Sequence, residues 1–248
     1  MKKLFMILLF PFALLAAGKI NIAVAANVSY AVDELKAEFA KTNPGTKVLV
    51  TLGSSGKLTA QIKNGAPYGL FISANMRYPE ALYDDKIAIT KPIVYARGAL
   101  AYLSVKKQDF SKGMALLKEE EIVKIAIANP KTAPYGKATI EAFKNAKIYD
   151  EIKSKFVYGE SISQTVSYAV MAADIGLIAK SSLYSSKMSR YKEGINWSSV
   201  DPKLYTPIQQ GIVLLKKSDD DKAYRAFYDF ILSDKAKVIF KKYGYSVE

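Results

Sequence analysis

The segment at residues 48–62 constrains the fold most, because an apolar, β-prone run passes directly into a helical pattern through Gly-Ser-Ser-Gly at 53–56. Leu58 and Ile62 place apolar side chains on one face of that helix. Such a turn presents free backbone N–H groups and serine hydroxyls at a helix start, where the helix dipole adds about half a positive charge. The segment therefore predicts an anion-binding turn built without charged side chains.

Three other turns follow the same order of strand, polar turn and helix. They lie at residues 26–29, 133–136 and 161–163. The alternation predicts an α/β fold with largely parallel sheets, in which a ligand lies at the carboxyl ends of the strands. Because two turns fall in the first third of the chain and two fall past its middle, the set favours a ligand gripped from two sides.

Two apolar runs, at residues 94–105 and 208–215, are candidates for segments that cross between two lobes. The first run exceeds the usual length of a single strand, so we expect it to continue from one lobe into the other. The second run is then the candidate for the return crossing.

The N-terminus has the three-part pattern of a secretory signal peptide at residues 1–17. Lys2 and Lys3 form its basic start, residues 4–15 its apolar core, and Ala-Ala-Gly at 16–18 a cleavage site of small residues. The apolar core is shorter than the roughly 20 residues that span a bilayer, which argues against a membrane anchor. The chain has no Cys, which excludes a lipid-modified cysteine and a disulfide framework. These features predict a bacterial periplasmic protein without a lipid anchor.

The formal net charge is +13, and it falls to +11 when Lys2 and Lys3 leave with the signal peptide. A basic balance favours an anionic partner, whether a small oxyanion, a nucleic acid or a membrane surface. The lysines are scattered in short pairs, without an arginine-rich arm, which is typical of a solvated surface. Secretion also argues against nucleic acid, so we expect none.

The residue inventory favours binding over catalysis. With no His and no Cys, a Ser-His-Asp triad, a Cys-His pair and a His-bearing zinc site are excluded. A phosphate-binding P-loop requires Gly and Ser or Thr where Thr51 and Leu58 stand. The acidic triplet at 219–221 precedes a helix and predicts an N-terminal cap, not a metal site. We therefore predict no enzyme, no catalytic residue, no bound metal cation and no cofactor.

Each candidate site residue also has an ordinary structural explanation. Ser54, Ser55 and Ser161 are suited to cap helices. Asn27 is suited to hydrogen-bond its own turn, and Tyr135 to pack at the surface. Four such turns together nevertheless favour a ligand.

Six motifs carry a family resemblance. They are Ala-Ala-Asn at 25–27, Gly-Ser-Ser-Gly at 53–56 with Ala-Gln-Ile-Lys-Asn-Gly-Ala-Pro at 60–67, Leu-Phe-Ile-Ser-Ala at 70–74, Asn-Pro-Lys-Thr-Ala-Pro-Tyr-Gly at 129–136, Ala-Asp-Ile-Gly at 173–176 and Phe-Lys-Lys-Tyr-Gly-Tyr at 240–245. Through them the mature chain resembles, along essentially its whole length, the periplasmic molybdate-binding proteins of bacterial ABC transporters.

The resemblance implies the two-lobed architecture of periplasmic binding proteins. Each α/β lobe has a mostly parallel sheet flanked by helices, and the ligand lies in the cleft between the lobes. We accordingly expect a first lobe at 18–97 and 210–248, and a second lobe at 98–209. The implied function is to capture molybdate, or tungstate of nearly equal size, as a monomer and to deliver it to a membrane permease.

The resemblance also implies a ligand site of six residues. They are Asn27, Ser55, Tyr135 and Ile162, with Ala26 and Ser54 beside them. Tyr135 and Ile162 are expected to act through backbone N–H groups, and Asn27 through its side-chain amide, where many relatives carry Ser. Some relatives supply a Tyr hydroxyl where this chain has Ala179, so one donor is missing or replaced.

Three alternatives stay open. One is a binding protein for another oxyanion, whether tungstate alone, sulfate or phosphate. Another is a secreted hydrolase whose nucleophile is Ser55, activated by Lys57. The third is an adhesin or other surface-interaction protein, which the absence of any small ligand would favour.

Overall fold

The computed structural model of the protein describes residues 18–247. The signal peptide predicted at residues 1–17 lies outside these described residues. Between residues 18 and 247, no helix is long and apolar enough to cross a membrane.

Strands and helices alternate through most of the described chain. The strands are β1 (Gly18–Ala25), β2 (Thr46–Gly53), β3 (Leu70–Ile72), β4 (Ile93–Gly98), β5 (Leu100–Leu103), β6 (Ile125–Ala128), β7 (Phe156–Gly159), β8 (Ile175–Ala179), β9 (Trp197–Ser199) and β10 (Ile208–Leu214). The α-helices are α1 (Val32–Ala40), α2 (Ser55–Lys63), α3 (Arg77–Asp84), α4 (Pro134–Asn145), α5 (Tyr149–Ile152), α6 (Ile162–Met171), α7 (Lys222–Leu232) and α8 (Asp234–Lys242). A 3-10 helix, Ala26–Tyr30, follows β1 directly.

The strands form two five-stranded sheets, in the orders β2-β1-β3-β10-β4 and β7-β6-β8-β5-β9. In the first sheet β1 is parallel to β2 and β3, while β10 is antiparallel to β3 and β4. In the second sheet β6 is parallel to β7 and β8, while β5 is antiparallel to β8 and β9. The predicted α/β class with two helix-flanked sheets is confirmed, and each sheet combines a parallel trio with antiparallel strands.

The chain passes between the sheets at Ala99. The apolar run at 94–105, expected as one long crossing strand, is two strands, because β4 pairs in the first sheet and β5 in the second. The chain returns between β9 and β10. The predicted lobe limits, 18–97 with 210–248 and 98–209, stay a prediction.

Each sheet has its own apolar core. Phe39, Phe227 and Phe240 belong to the core of the first sheet, and the rings of Phe39 and Phe227 meet edge to face at 4.9 Å. Ile127 and Phe143 belong to the core of the second sheet. Burial of such side chains favours folding by about 1.5–3 kcal/mol each, so each core stabilises the sheet on which it lies.

Local sequence explains where the helices begin and end. Pro134 is at the first position of α4, where its missing N–H costs no hydrogen bond. Gly65, with φ of +84°, follows the end of α2. The Asp221 carboxylate caps α7 by accepting from the Ala223 N–H at 2.8 Å, as predicted for the acidic triplet.

Candidate functional site

Four strand-to-helix turns meet between the two sheets and line one small cavity of about 10 Å³. The turns follow β1, β2, β6 and β7, so the sheet topology brings together segments that are far apart in sequence. All six residues of the predicted site line this cavity: Ala26, Asn27, Ser54, Ser55, Tyr135 and Ile162. Their roles as ligand contacts stay a prediction.

The cavity wall carries no charged side chain. Its other lining residues are Ala25, Gly53, Ala74, Ala133 and Pro134. Helices α2, α4 and α6 begin at this wall, and their dipoles place partial positive charge at their first residues. The wall therefore offers an anion hydrogen-bond donors and dipoles in place of cations.

The Ser55 hydroxyl is oriented by the backbone of the next strand-to-helix segment. Its Oγ accepts a hydrogen bond from the Ala74 N–H at 3.0 Å, and the residue is fully buried. A serine hydroxyl also has one hydrogen to donate. Because the Ala74 N–H occupies an acceptor position, that hydrogen is available for a ligand.

Ser54 and Ser161 occupy equivalent positions before α2 and α6 but behave differently. The Ser161 hydroxyl caps α6 by accepting from the Gln164 N–H at 3.3 Å. Ser54 makes no capping bond, and its buried Oγ has no hydrogen-bond partner. The capping explanation therefore holds for Ser161 and is wrong for Ser54.

Tyr135 is buried, so the expectation of surface packing is wrong. Its hydroxyl accepts from Gln210 Nε2 at 3.2 Å, and only 1% of the residue is exposed. No side chain caps α4, so the N–H groups of its first turn are free of side-chain acceptors. The first turn of α4 lies close to the end of β6. Gly136 allows this contact, because a Cβ there would lie 2.1 Å from the Ala128 carbonyl oxygen.

The Asn27 side chain does not bond its own turn. Its Nδ2 donates to Gln210 Oε1 at 2.7 Å and to the Tyr245 hydroxyl at 2.9 Å. Its backbone carbonyl accepts from Ser181 Oγ at 3.1 Å and from Tyr245 Oη at 2.9 Å. The amide is held firmly, and its Oδ1 has no partner.

Unpartnered polar atoms concentrate at this cleft. Between residues 18 and 247, the buried side-chain atoms without a hydrogen-bond partner are Asn27 Oδ1, Ser54 Oγ and Thr132 Oγ1. Buried polar atoms usually have partners, and each exception requires an explanation. A polar ligand between the turns would explain two of these atoms, Asn27 Oδ1 and Ser54 Oγ, because both residues line the cavity.

The turns also contact one another across the cleft. The Gly56 N–H donates to the Thr132 carbonyl at 2.9 Å, and Ser163 Oγ donates to the Ala26 carbonyl at 2.9 Å. At the exposed rim, Lys57 forms an ion pair with Glu160. These contacts join the start of α2 to the 129–135 loop, and the segment after β1 to α6.

Three buried tyrosines adjoin the site. Tyr135 lines the cavity, Tyr95 hydrogen-bonds Gln210, and Tyr245 hydrogen-bonds Asn27. Burial raises the pKa of each hydroxyl above its ordinary value of 10, because the charged form would lose its hydration. The hydroxyls therefore remain protonated and neutral throughout the physiological range.

The geometry gives no support to a Ser55–Lys57 nucleophile. Lys57 Nζ is paired with Glu160 Oε2, and the Ser55 hydroxyl is held by Ala74. A nucleophilic serine needs a base within hydrogen-bond reach. The hydrolase alternative therefore rests on no contact of this structure.

Sequence reasoning missed several residues that build the site. They are Thr132, Ser163, Ser181, Gln210 and Tyr245. A polar pair within the apolar run at 208–215 was a usable signal for Gln210. Ala179 ends β8, and Ser181, two residues later, supplies a hydroxyl to the Asn27 carbonyl instead of to the cavity.

The family model described as bacterial extracellular solute-binding protein matches residues 20–246. The chain is 34% identical to the molybdate-binding protein ModA of Azotobacter vinelandii, over 94% of this chain and 91% of that protein. It is 36% identical to ModA of Rhodobacter capsulatus, over 94% of this chain and 90% of that protein.

The fold also matches a solved structure of the same kind. The periplasmic molybdate-binding protein of Azotobacter vinelandii superposes with a TM-score of 0.83 at 30% identity. The match covers 92% of this chain and 99% of that one. The similarity therefore extends over both sheets and all four turns.

Proposed function

The chain belongs to the bacterial extracellular solute-binding proteins, and from this premise we propose that it binds molybdate in the cavity between its two sheets. The proteins of Azotobacter and Rhodobacter that it resembles carry that name. Solute-binding proteins capture a ligand for a transporter and catalyse no reaction. We extend this role to the present chain, in the periplasm and without a cofactor.

One observation carries the proposal: four turns converge on a cavity whose wall has donors and dipoles but no charged side chain. The proposed donors are the Ser55 hydroxyl and the backbone N–H groups at the starts of α2, α4 and α6. An oxyanion receives charge-assisted hydrogen bonds from such groups, and these are about twice as strong as neutral ones.

Selectivity would follow from the type and spacing of the donors. Backbone N–H groups cannot accept a hydrogen bond, so the fully deprotonated dianion is preferred over a protonated one. A smaller anion such as sulfate would not reach every donor and would leave some unpaired. Tungstate is nearly equal in size to molybdate, so we propose that it also binds.

Delivery would follow closure of the two halves over the anion. The segments that pass between the sheets, at Ala99 and between β9 and β10, are the natural hinge, and the contacts across the cleft are those of a closed form. We propose that the closed monomer docks on the permease of an ABC transporter and that residues 1–17 direct its export.

Calorimetric titration with molybdate, tungstate, sulfate and phosphate at neutral pH tests the proposal. We expect molybdate and tungstate to bind and sulfate to give no heat. At 100 times its dissociation constant, a ligand should also stabilise the fold by about 2.7 kcal/mol, which thermal melting measures. The absence of binding heat with molybdate would refute the proposal. Tight binding of sulfate or phosphate would favour a binding protein for one of those oxyanions.

A further inference from the structure

Gln210 joins groups from both sheets behind the cavity. It lies in β10, is fully buried, and its Oε1 accepts from Asn27 Nδ2 at 2.7 Å and from Tyr95 Oη at 2.7 Å. Its Nε2 donates to Tyr135 Oη at 3.2 Å. Asn27 and Tyr95 belong to the half built on the first sheet, and Tyr135 lies in α4 beside the second.

The fold leaves room for this amide at the crossing between the sheets. Gly98 ends β4, and a Cβ there would lie 2.5 Å from Gln210 Nε2 and 2.0 Å from Tyr135 Oη. Only a residue without a side chain fits. The backbone at the end of β4 is thus adapted to this side-chain network.

The network as it stands leaves Asn27 Oδ1 unpartnered. A buried acceptor without a donor destabilises the arrangement, because it has lost its hydration without gaining a protein partner. Rotation of the Asn27 amide alone would place two oxygens face to face across the 2.7 Å contact with Gln210. The two amides therefore have to rotate together.

Rotation of both amides by 180° gives Asn27 Oδ1 donors, provided that the Tyr245 hydroxyl turns its one hydrogen from the Asn27 backbone carbonyl to Oδ1. Ser181 Oγ would still donate to that carbonyl. Gln210 Nε2 would then donate to Asn27 Oδ1 and to Tyr95 Oη, whose own hydrogen reaches the Ser73 carbonyl at 3.4 Å. The Tyr135 hydroxyl would donate to Gln210 Oε1. Asn27 Nδ2 would be freed, with two N–H groups, at the position that Oδ1 holds.

We propose that Gln210 is a positioning residue that sets the polarity of Asn27, and that oxyanion binding rotates both amides so that Asn27 Nδ2 donates to the ligand. This inference rests on the proposed function. The rotation changes which atom of Asn27 faces the ligand. Oδ1 would accept a hydrogen bond from the proton of a hydrogen phosphate, whereas Nδ2 would donate to a fully deprotonated dianion. Gln210 has no contact with the anion and acts through Asn27.

A double-mutant cycle tests the coupling. In Gln210→Glu the ionised carboxylate only accepts, so at a pH above the raised pKa of this buried group Asn27 Nδ2 is fixed toward position 210 and the anion meets Oδ1. We expect molybdate affinity to fall about 100-fold in this variant but about tenfold or less when Asn27→Ala is already present. Charge repulsion is common to both backgrounds, so additivity of the two changes would overturn the proposal.

The neutral variant Gln210→Met separates polarity from packing. It keeps the volume and removes both hydrogen-bonding ends, so Asn27 is free to present Nδ2. We expect it to bind molybdate more tightly than Gln210→Glu, by about tenfold or more. Equal affinities of the two variants would contradict a role in setting polarity.

A measurement on the unmodified protein avoids any variant that fails to fold. Nuclear Overhauser contacts of the Gln210 side-chain amide protons should be with the Tyr135 ring before molybdate is added and with the Tyr95 ring in the complex. Contacts that stay with Tyr135 at saturating molybdate would overturn the inference while leaving the proposed function intact. Failure of the unmodified protein to bind any oxyanion would instead refute the proposed function.

Discussion

The wall of the cleft and the outer surface of this molecule handle charge in opposite ways. The surface carries a formal excess of positive charge and ion pairs with exposed partners, such as Lys118–Glu151 and Lys153–Asp150. The cleft wall has no charged residue and contains the unpartnered oxygens of Asn27 and Ser54. In our proposal anion recognition therefore depends on converging dipoles, and net charge contributes only a diffuse field.

The comparison also separates the two kinds of helix start. The Ser161 hydroxyl accepts a hydrogen bond from its own helix. The Ser55 hydroxyl accepts from a different segment, and its hydrogen stays available for a ligand. Similar residues in similar turns thus serve stability in one case and, in our proposal, binding in the other. Four changes test how the buried tyrosines, the serines at the helix starts and the charged rim differ. They are given from the largest expected effect to the smallest.

The largest effect is expected from alkaline pH, which charges tyrosines. The folded-state pKa of Tyr95, Tyr135 and Tyr245 is raised by burial, so their contribution to stability is present below pH 10 and is lost as the pH rises further. Between pH 10 and 11 the three groups should reduce the free energy of unfolding by about 3 kcal/mol in total. Denaturant titrations at each pH measure the loss, and Tyr95→Phe should make it smaller by about 1 kcal/mol. An unchanged loss in that variant would show that the effect lies elsewhere.

The next effect is expected from Ser55→Ala. Removing a hydroxyl that donates to an anion should weaken molybdate binding about 10- to 100-fold. The buried Ala74 N–H also loses its acceptor, so the free energy of unfolding should fall by about 1–3 kcal/mol. Calorimetry and denaturant unfolding measure the two effects. Ser161→Ala is the matched control for affinity, and an equal loss of affinity in both variants would contradict the distinction.

A smaller effect is expected from the capping serine. Ser161→Ala removes the cap of α6 and should lower the free energy of unfolding by about 1 kcal/mol. Ser54→Ala removes an unpartnered hydroxyl and should leave that free energy unchanged or slightly raised. Both are measured in the ligand-free protein by urea titration. A larger loss for Ser54→Ala than for Ser161→Ala would reverse our assignment of the cap.

The smallest effect is expected at the rim. Lys57 and Glu160 form an ion pair that is about half exposed on both sides, with exposed side-chain fractions of 51% and 57%. Such pairs contribute about 0–1 kcal/mol, so Lys57→Gln should change stability and molybdate affinity only slightly. A tenfold loss of affinity would mean that a surface cation, and not the neutral wall, attracts the anion.

Local patterns made much of this architecture predictable. Strand, turn and helix signals follow one another within about fifteen residues at 48–62, and the turn at 53–56 is the start of α2. The convergence of the four turns also followed, since carboxyl ends of parallel strands face one edge of a sheet. Those inferences need only periodicity and topology.

What depends on contacts distant in sequence was not predictable. The interruption at Ala99 leaves no local signal in the sequence, so the apolar run at 94–105 predicts one strand. The short strand β9 leaves no local signal either. Whether Ser54 or Ser161 caps its helix depends on side-chain direction and not on residue type. The assignments of Gln210 and Thr132 required the structure, because their partners lie on other elements of the fold.

The central claim is that the neutral cavity between the sheets is the oxyanion site. Anomalous scattering at the molybdenum edge, from crystals grown with molybdate, locates the metal directly. We expect one strong peak in the cavity. The oxygens around that peak should lie within hydrogen-bonding distance of Ser55 Oγ and of the N–H groups of Tyr135 and Ile162. Peaks confined to surface lysines, with none in the cavity, would contradict the claim.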